Sequence, residues 1–436
     1  MMLRVAVIGA GPAGLCAARH LSAEPDRYLP TVYEQTAAVG GAWVYRDRVG
    51  TDDNGLPVQS TIYKNLRTNV PKEAMFFPDF PHDSSIQSYL HHSEVLQYLE
   101  NYAEHFGLHK YIQFLTRVNV VKPVHVHGDV KWQITTSKVT APDRTSMEQF
   151  DAVMVCNGGP FITPYTPFIP GASQFQGRTL HSHHYRVPEP FRGRNVVIAG
   201  GLSSGIDLSV DISEVAKHLV LSHSNPPAMH IHNLPPNVTQ ASRIESIKGP
   251  NIVRFRDGQE FWADDVVFCT GSRPSFPFLT PECGITIHQG RVSPLYKHVI
   301  NTTHPTMSFG GLTNHSISFA LFQLQIKLAL GTLDGSISLP SKTEMDEEVD
   351  RDFASRLEAG LAPHQAHEIF PLYTSYITEL AALTGQPDPQ DQTSMSADSF
   401  MRMFADPVGY RNAEYKVTVP GTWERVPYLD ENQAAK

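Results

Sequence analysis

A chain of 436 residues is longer than one compact core sustains, so two domains, or three, are expected. Its apolar fraction of 41% and charged fraction of 18% are those of a globular protein whose core holds without disulfide or metal staples. A formal net charge of −9 removes nucleic acid as the main partner, because phosphate binding needs a Lys/Arg surplus, and no run reaches the ~18 apolar residues of a transmembrane helix.

Residues 3–8 read as a short strand rich in Val and Ile. The turn Gly9-Ala10-Gly11-Pro12-Ala13-Gly14 follows, then a helix to residue 22 and a strand over 31–33 that ends in Glu34. This is a βαβ opening, and because the apolar start runs into a glycine turn it is not a signal peptide. Pro-rich punctuation over 160–170 marks a candidate boundary. A second opening starts with a strand over 195–199 and turns through Gly200-Gly201-Leu202-Ser203-Ser204-Gly205. It continues as a helix over 206–218 and a strand over 219–221. A strand over 266–269 runs into Thr270-Gly271, a charged helix is expected over 343–360, and the last forty residues carry no assignable pattern. Two such openings predict two nucleotide-binding domains. The four cysteines, Cys16, Cys156, Cys269 and Cys283, lack C-x-x-C spacing and read as reduced, packed thiols of a cytoplasmic-type compartment.

The first turn has the full context that its chemistry requires: a strand before, a helix after, and an acid 20 positions beyond the last glycine. Gly9 makes the tight turn, Gly11 lets a pyrophosphate approach the backbone, and Gly14 lets helix and strand pack. Pro12 suits the first helical position, where a missing N–H costs nothing. The free N–H groups from Ala13 onward face the phosphates. Glu34 is expected to accept a hydrogen bond from a ribose hydroxyl, since folding alone does not call for an acid there. The motif does not choose between FAD and NAD.

Glu34 followed by Gly40-Gly41-Ala42-Trp43 resembles the "E…GGxW" segment of flavin-containing monooxygenases. So do LRTNVPKEAM over 66–75 with Asp79-Phe80-Pro81, DVVFCTG over 265–271, Phe276-Pro277-Phe278-Leu279, and Leu295-Tyr296-Lys297-His298-Val299. The segment from Phe175 to Arg186 is similar to the family fingerprint FxGxxxHxxx(F/Y)(K/R). The likeness runs in order from about residue 3 to about 331. It implies an α/β fold with two Rossmann-like dinucleotide-binding domains. The FAD domain is expected over 1–175 and 285–436, with an NADPH domain inserted over 176–284. In the family the glycines of "GGxW" border the flavin, which puts Gly41 there; Trp43 either stacks near the flavin or fills core. Tyr185-Arg186, where Baeyer–Villiger enzymes carry Trp followed by Pro or Asp, implies oxygenation of a heteroatom and a place at the domain junction. Beside His184, His181 and His183 would share a face if they lay on one strand, but no Cys or carboxylate completes a metal site, and none is expected.

Against the family pattern, the second turn has Leu202 at the middle glycine, which holds a pyrophosphate further off unless Gly201 takes over by shifting the turn. Gly200, Gly205, Ser203 and Ser204 remain as turn residues and donors at a helix start, where an anion gains about 0.3–1 kcal/mol. After the next strand come Ser222 and His223, with no acid to repel a 2′-phosphate and no arginine to bind one. NADPH is the expected donor on these residues, with NADH left open. Thr270 and Gly271 are expected beside a cofactor, with Arg273 at either a phosphate or a surface ion pair.

The resemblance further implies that NADPH reduces FAD and that O2 then forms a C4a-hydroperoxyflavin, which oxygenates a soft N or S atom of a small molecule. Asn69, at the family's "TN" position, is the expected catalytic residue, its amide able both to donate and to accept. Lys72 and Glu73 are expected to brace the loop. A Baeyer–Villiger or N-hydroxylating enzyme, and a non-catalytic FAD-binding protein, are the alternatives. Substrate identity and homo-oligomer formation stay open.

Overall fold

The computed structural model describes residues 2–158, 163–225, 227–313, 318–369, 372–419 and 421–427. The expected boundary over 160–170 lies partly outside them. Strand β1 (Leu3–Ile8) is buried over its last four residues, as a Val/Ile run covered on both faces must be. It leads through the glycine turn into helix α1 (Pro12–Ser22), opened by Pro12, and returns as β2 (Tyr28–Tyr33), parallel to β1 from Leu3↔Tyr28 to Ile8↔Tyr33. Ala152–Val155 pairs on the other side of β1, and Met307–Phe309 pairs beyond that, both parallel. The seven-stranded sheet is completed by 112–113 at one edge and by 295–296 and 300–301 at the other. A three-stranded antiparallel meander over 116–150 is pinned to it by Trp132, whose indole N–H donates to the Thr306 hydroxyl at 2.9 Å.

The second unit repeats the scheme. β3 (Asn195–Ala199), α2 (Ser203–Ser213) and β4 (His218–Ser222) form its βαβ opening, with β3 and β4 parallel. All five strands of this sheet are parallel, in the order 238–241, β4, β3, 265–268, 178–181. The helix is shorter than the expected 206–218: it ends at Ser213, and His218 already belongs to β4. A two-stranded antiparallel ribbon, 163–164 against 272–273, marks where the chain passes between the units. Ile169 packs with the second sheet, whereas Phe276, Phe278 and Cys283 pack with Val121 and Trp132 beside the first. The ribbon residues 163–164 and 272–273 precede the expected boundaries at 175 and 285 respectively.

Helix α3 (Phe319–Asp334) packs on α1 in the main core. The charged helix Lys342–Glu358 starts at a capping box between Ser341 and Glu344. The last described residues form α4 (Gln390–Ala405) and a hairpin of Ala413–Val419 with Thr422–Pro427. Met395, Met403, Phe404, Tyr410 and Tyr415 join Val196, Ile198, Ile206 and Leu208 of the second unit, and Tyr63, Ala74 and Tyr89 of the first, in one apolar cluster. This segment is therefore shared between the units. Among the described residues no helix is long and apolar enough to cross a membrane. The four thiols are free, and burial pushes those of Cys156 and Cys269 up to about 12, so they are packed and inert.

Candidate active site

Both glycine turns are forced by backbone contact. Gly9 has φ +103°, and a Cβ there would stand 2.7 Å from the Cys156 carbonyl oxygen; one on Gly14 would stand 1.9 Å from the Gly9 carbonyl oxygen. Gly11 caps α1 in extended conformation. A Cβ on Gly11 would be 3.5 Å from the Gly41 Cα, and one on Gly41, at φ +57°, only 2.9 Å from the Gly11 Cα. The Gly40 N–H donates to the Ala10 carbonyl at 3.0 Å, holding the 40–43 turn there. The result is two backbone segments in close approach with no side chain between them at the N–H end of α1, where Pro12 and Ala13 begin the helix, and free N–H groups there fit a pyrophosphate. Trp43 is buried in the main core.

Glu34 has a structural task that the motif does not announce. Its Oε2 accepts from the Ala10 N–H at 2.9 Å and its Oε1 from the Thr36 N–H at 2.8 Å, so it closes the turn it faces. Each carboxylate oxygen keeps a lone pair for a ribose hydroxyl. The view that folding needs no acid here is corrected. Asn157, two residues past strand Ala152–Val155, has a buried Oδ1 with no partner among the described residues. Its Cα lies 3.1 Å from where a Cβ on Gly9 would be, which sets a polar atom beside the same turn, and no spacing signal marks it.

The second turn keeps the register of the first. Gly200 has φ +127° and packs on the Cys269 carbonyl, Gly205 packs on the Gly200 carbonyl, and α2 begins at Ser203 after Leu202 in extended conformation. Gly201 does not take over. A Cβ there would be 2.5 Å from the His223 Cβ, and its carbonyl accepts from the Asn225 amide at 2.6 Å. Ser203 and Ser204 occupy the helix start. The Ser222 hydroxyl donates to the Ser242 carbonyl, and the His223 ring contacts the Gln240 side chain. The missing arginine has a candidate one strand over: exposed Arg243 donates from Nε to the Ser224 hydroxyl at 2.7 Å. Reading β4 alone misses it, because Arg243 follows strand Val238–Ala241, whose Ala241 pairs with Ser222.

Thr270 and Gly271 sit where the ribbon begins. The Thr270 hydroxyl donates to the Tyr165 carbonyl, and the Gly271 carbonyl accepts from the Tyr165 N–H and faces the His181 Nε2 at 3.0 Å. Arg273 stacks on the Tyr165 ring, 4.2 Å from its centroid. His181 ends its strand and His183 lies in the 3-10 turn that follows, so the two rings do not share one strand face as expected; His183 Nε2 faces the Val58 carbonyl. Burial lowers the pKa of His181 to about 4, which keeps it neutral.

Asn69 lies in the segment after Thr68. Its carbonyl accepts from the Ser399 hydroxyl at 2.9 Å, while its side-chain amide has no hydrogen bond among the described residues. Lys72 is buried and paired with Glu73, bracing this loop. Tyr185 and Arg186 form the junction. The Tyr185 hydroxyl donates to Asp211 on α2, and Arg186 donates to the carbonyls of Arg46 (2.6 Å), Ser60 (3.0 Å), His183 (2.9 Å) and Tyr185 (2.7 Å).

A family model described as flavin-binding monooxygenase-like matches residues 2–229 and 232–427. The chain belongs to this family. Its members and structural neighbours are FAD- and NADPH-dependent monooxygenases, so this chain is a flavin monooxygenase with two dinucleotide-binding units. It is 37% identical over 401 residues to the flavin-containing monooxygenase FMO GS-OX5 of Arabidopsis thaliana, covering 88% of this chain and 85% of that one. The solved S-allyl-L-cysteine S-oxygenase from Allium sativum superimposes with a TM-score of 0.86 at 32% identity, over 94% of this chain and 95% of that one. Tmm from Pelagibacter sp. strain HTCC7211 gives 0.83 at 29% identity, over 97% and 96%.

Proposed function

We propose that the chain oxygenates the sulfur atom of a small thioether, using NADPH and O2. The observation that carries this reading is the facing pair Gly11–Gly41 at one helix start together with a second helix start at Ser203 whose Gly200 and Gly205 repeat the contacts of Gly9 and Gly14. One such site suits FAD and the other the reductant. Sulfur is favoured over nitrogen by the likeness to an enzyme named for S-oxygenation over nearly the whole chain. Tyr185-Arg186 at the junction, in place of the Baeyer–Villiger pair, favours a heteroatom over a ketone.

Bound FAD, with NADPH and O2, supplies an electrophilic oxygen atom for a sulfur lone pair, the second oxygen leaving as water. The N–H groups from Ala13 onward would hold its pyrophosphate and Glu34 its ribose, with Gly41 giving the backbone room beside them. Ser203, Ser204 and Gly205 hold the NADPH phosphates at the start of α2, and Arg243 with Ser224 holds the 2′-phosphate at the end of β4. Asn69 would hydrogen-bond the reacting centre with its side-chain amide, which has no partner among the described residues. No acid–base pair is required, since the lone pair attacks directly; the site must instead exclude water.

The purified protein is incubated with NADPH and air and, in turn, S-allyl-L-cysteine, methyl phenyl sulfide, trimethylamine and cyclohexanone. Sulfoxide formed one for one with NADPH supports the proposal. N-oxide alone reassigns the acceptor to nitrogen, and a lactone reassigns the enzyme to the Baeyer–Villiger class. FAD that NADPH fails to bleach leaves a binding protein.

A further inference from the structure

We infer that Arg411 is a positioning residue that sets the approach of the NADPH unit to the segment carrying Asn69. The inference rests on the reading of α2 as the helix that receives NADPH. Arg411 lies between α4 and the final hairpin, in the part of the chain whose sequence carries no motif. Its Nη2 donates to both carboxylate oxygens of Asp207, at 3.0 and 2.7 Å, and to the Arg67 carbonyl at 3.3 Å. Its Nε donates to the Thr68 carbonyl at 2.9 Å. One guanidinium thus ties the two residues directly before Asn69 to the second turn of the helix that begins at Ser203.

The surroundings make this contact stiff. The side chains of Arg411 and Asp207 are only 15% and 10% exposed, and Arg411 stacks on Tyr410, 4.5 Å from the ring centroid. Burial opposes the charge on Arg411, but the Asp207 carboxylate outweighs it and holds the guanidinium pKa above its usual value. Asp207 also accepts from the Tyr63 hydroxyl at 3.1 Å, and Asp211, one turn on, accepts from Asn65 at 3.0 Å and from Tyr185. Ser399 on α4 grips the Asn69 carbonyl from the other side and meets the Tyr89 hydroxyl at 2.7 Å. Each α2 acid therefore faces residues of the first unit or the shared segment. None of these groups reaches the helix start itself, so they govern where α2 stands and leave phosphate contact to the turn. Hydride transfer between two units is sensitive to such placement: an error near 1 Å costs on the order of 100-fold.

Flavin bleaching by NADPH is followed anaerobically in Arg411→Ala, Arg411→Lys and Asp207→Asn, with FAD content and bleaching by dithionite as controls. The expected result is bleaching slowed about 10- to 100-fold in Arg411→Ala and Asp207→Asn, partly restored in Arg411→Lys. The KM for NADPH and the dithionite reaction should stay near those of the parent. Parent-like bleaching by NADPH in both Arg411→Ala and Asp207→Asn would overturn the inference. If Arg411→Ala fails to retain FAD, Asp207→Asn decides in the same way; loss of FAD from both also overturns it, since the pair would then hold the fold rather than the approach. Bleaching needs no oxygen acceptor, so failure of the thioether reading leaves this test intact.

Discussion

Leu202 stands in the second glycine turn where Gly11 stands in the first: each is the extended residue capping a helix that starts one position later. Gly11 faces only the Gly41 backbone, whereas Leu202 brings an isobutyl group that packs into the apolar cluster shared by the two units. Leu202→Gly is expected to lower the KM for NADPH several-fold, because the phosphates can approach the N–H groups of Ser203 and Ser204. It should also cost about 1–2 kcal/mol of stability through lost burial. Steady-state kinetics and urea unfolding of the same variant check the two halves of this expectation.

Arg243 reaches the segment just past the end of β4, its Nε donating to the Ser224 hydroxyl at 2.7 Å. Arg243→Gln should raise the KM for NADPH about tenfold, the worth of a charge-assisted hydrogen bond of roughly 1.4 kcal/mol, and leave the KM for NADH unchanged. An equal rise for both donors would place the arginine outside the 2′-phosphate site.

Asn69→Ala should leave bleaching by NADPH intact and divert turnover to hydrogen peroxide. Losing a hydrogen bond of about 1.4 kcal/mol to the reacting centre predicts roughly tenfold less sulfoxide per NADPH. Peroxide release measured beside sulfoxide yield decides the matter, and unchanged coupling would return Asn69 to a turn-forming role.

His298 and His367 contact each other at 3.1 Å between their Nδ1 atoms, buried behind Arg356. The Val292 N–H donates to His367 Nε2 at 2.8 Å, and the Arg356 Nη2 group, which can only donate, meets His298 Nε2 at 3.1 Å. Burial, then the Arg356 charge, lowers the pKa of His298 to about 3, and burial with His298 depresses that of His367 well below its usual value. Above pH ~6.5 both rings are neutral whether the chain is folded or not, so they add no pH dependence. Below it the unfolded chain takes up protons that the native rings refuse, and stability falls with pH by up to about 1.4 kcal/mol per unit for each ring. The urea midpoint should therefore drop between pH 6.5 and 4. His298→Asn, which tolerates the left-handed backbone at φ +56°, should flatten that drop.

The legible parts of this chain are those whose physics is local. Gly14 and Gly205 meet backbone within their own βαβ openings, and although Gly9 and Gly200 meet the distant carbonyls of Cys156 and Cys269, the glycine spacing announces both units. Glu34 is only half legible, since its position marks a ribose while its bonds to Ala10 and Thr36 are visible only in three dimensions. Arg243 and Arg411 were not legible. One acts across a strand pairing and the other across 204 residues to Asp207, and neither leaves a periodic or motif signal near its own position. The final segment reads as patternless because its apolar residues match two surfaces rather than one face of one sheet.

The ribbon of 163–164 with 272–273 gives the two units different histories during translation. Every strand of the inner sheet, from Arg178 to Phe268, has been made before Met307–Phe309 emerges to take its place beside Ala152–Val155. The inner unit can close while the outer one is still waiting for a strand, and α4 with Arg411 arrives after both. The chain that completes the inner unit is thus made first, and Arg411, which ties the halves, is made after both sheets.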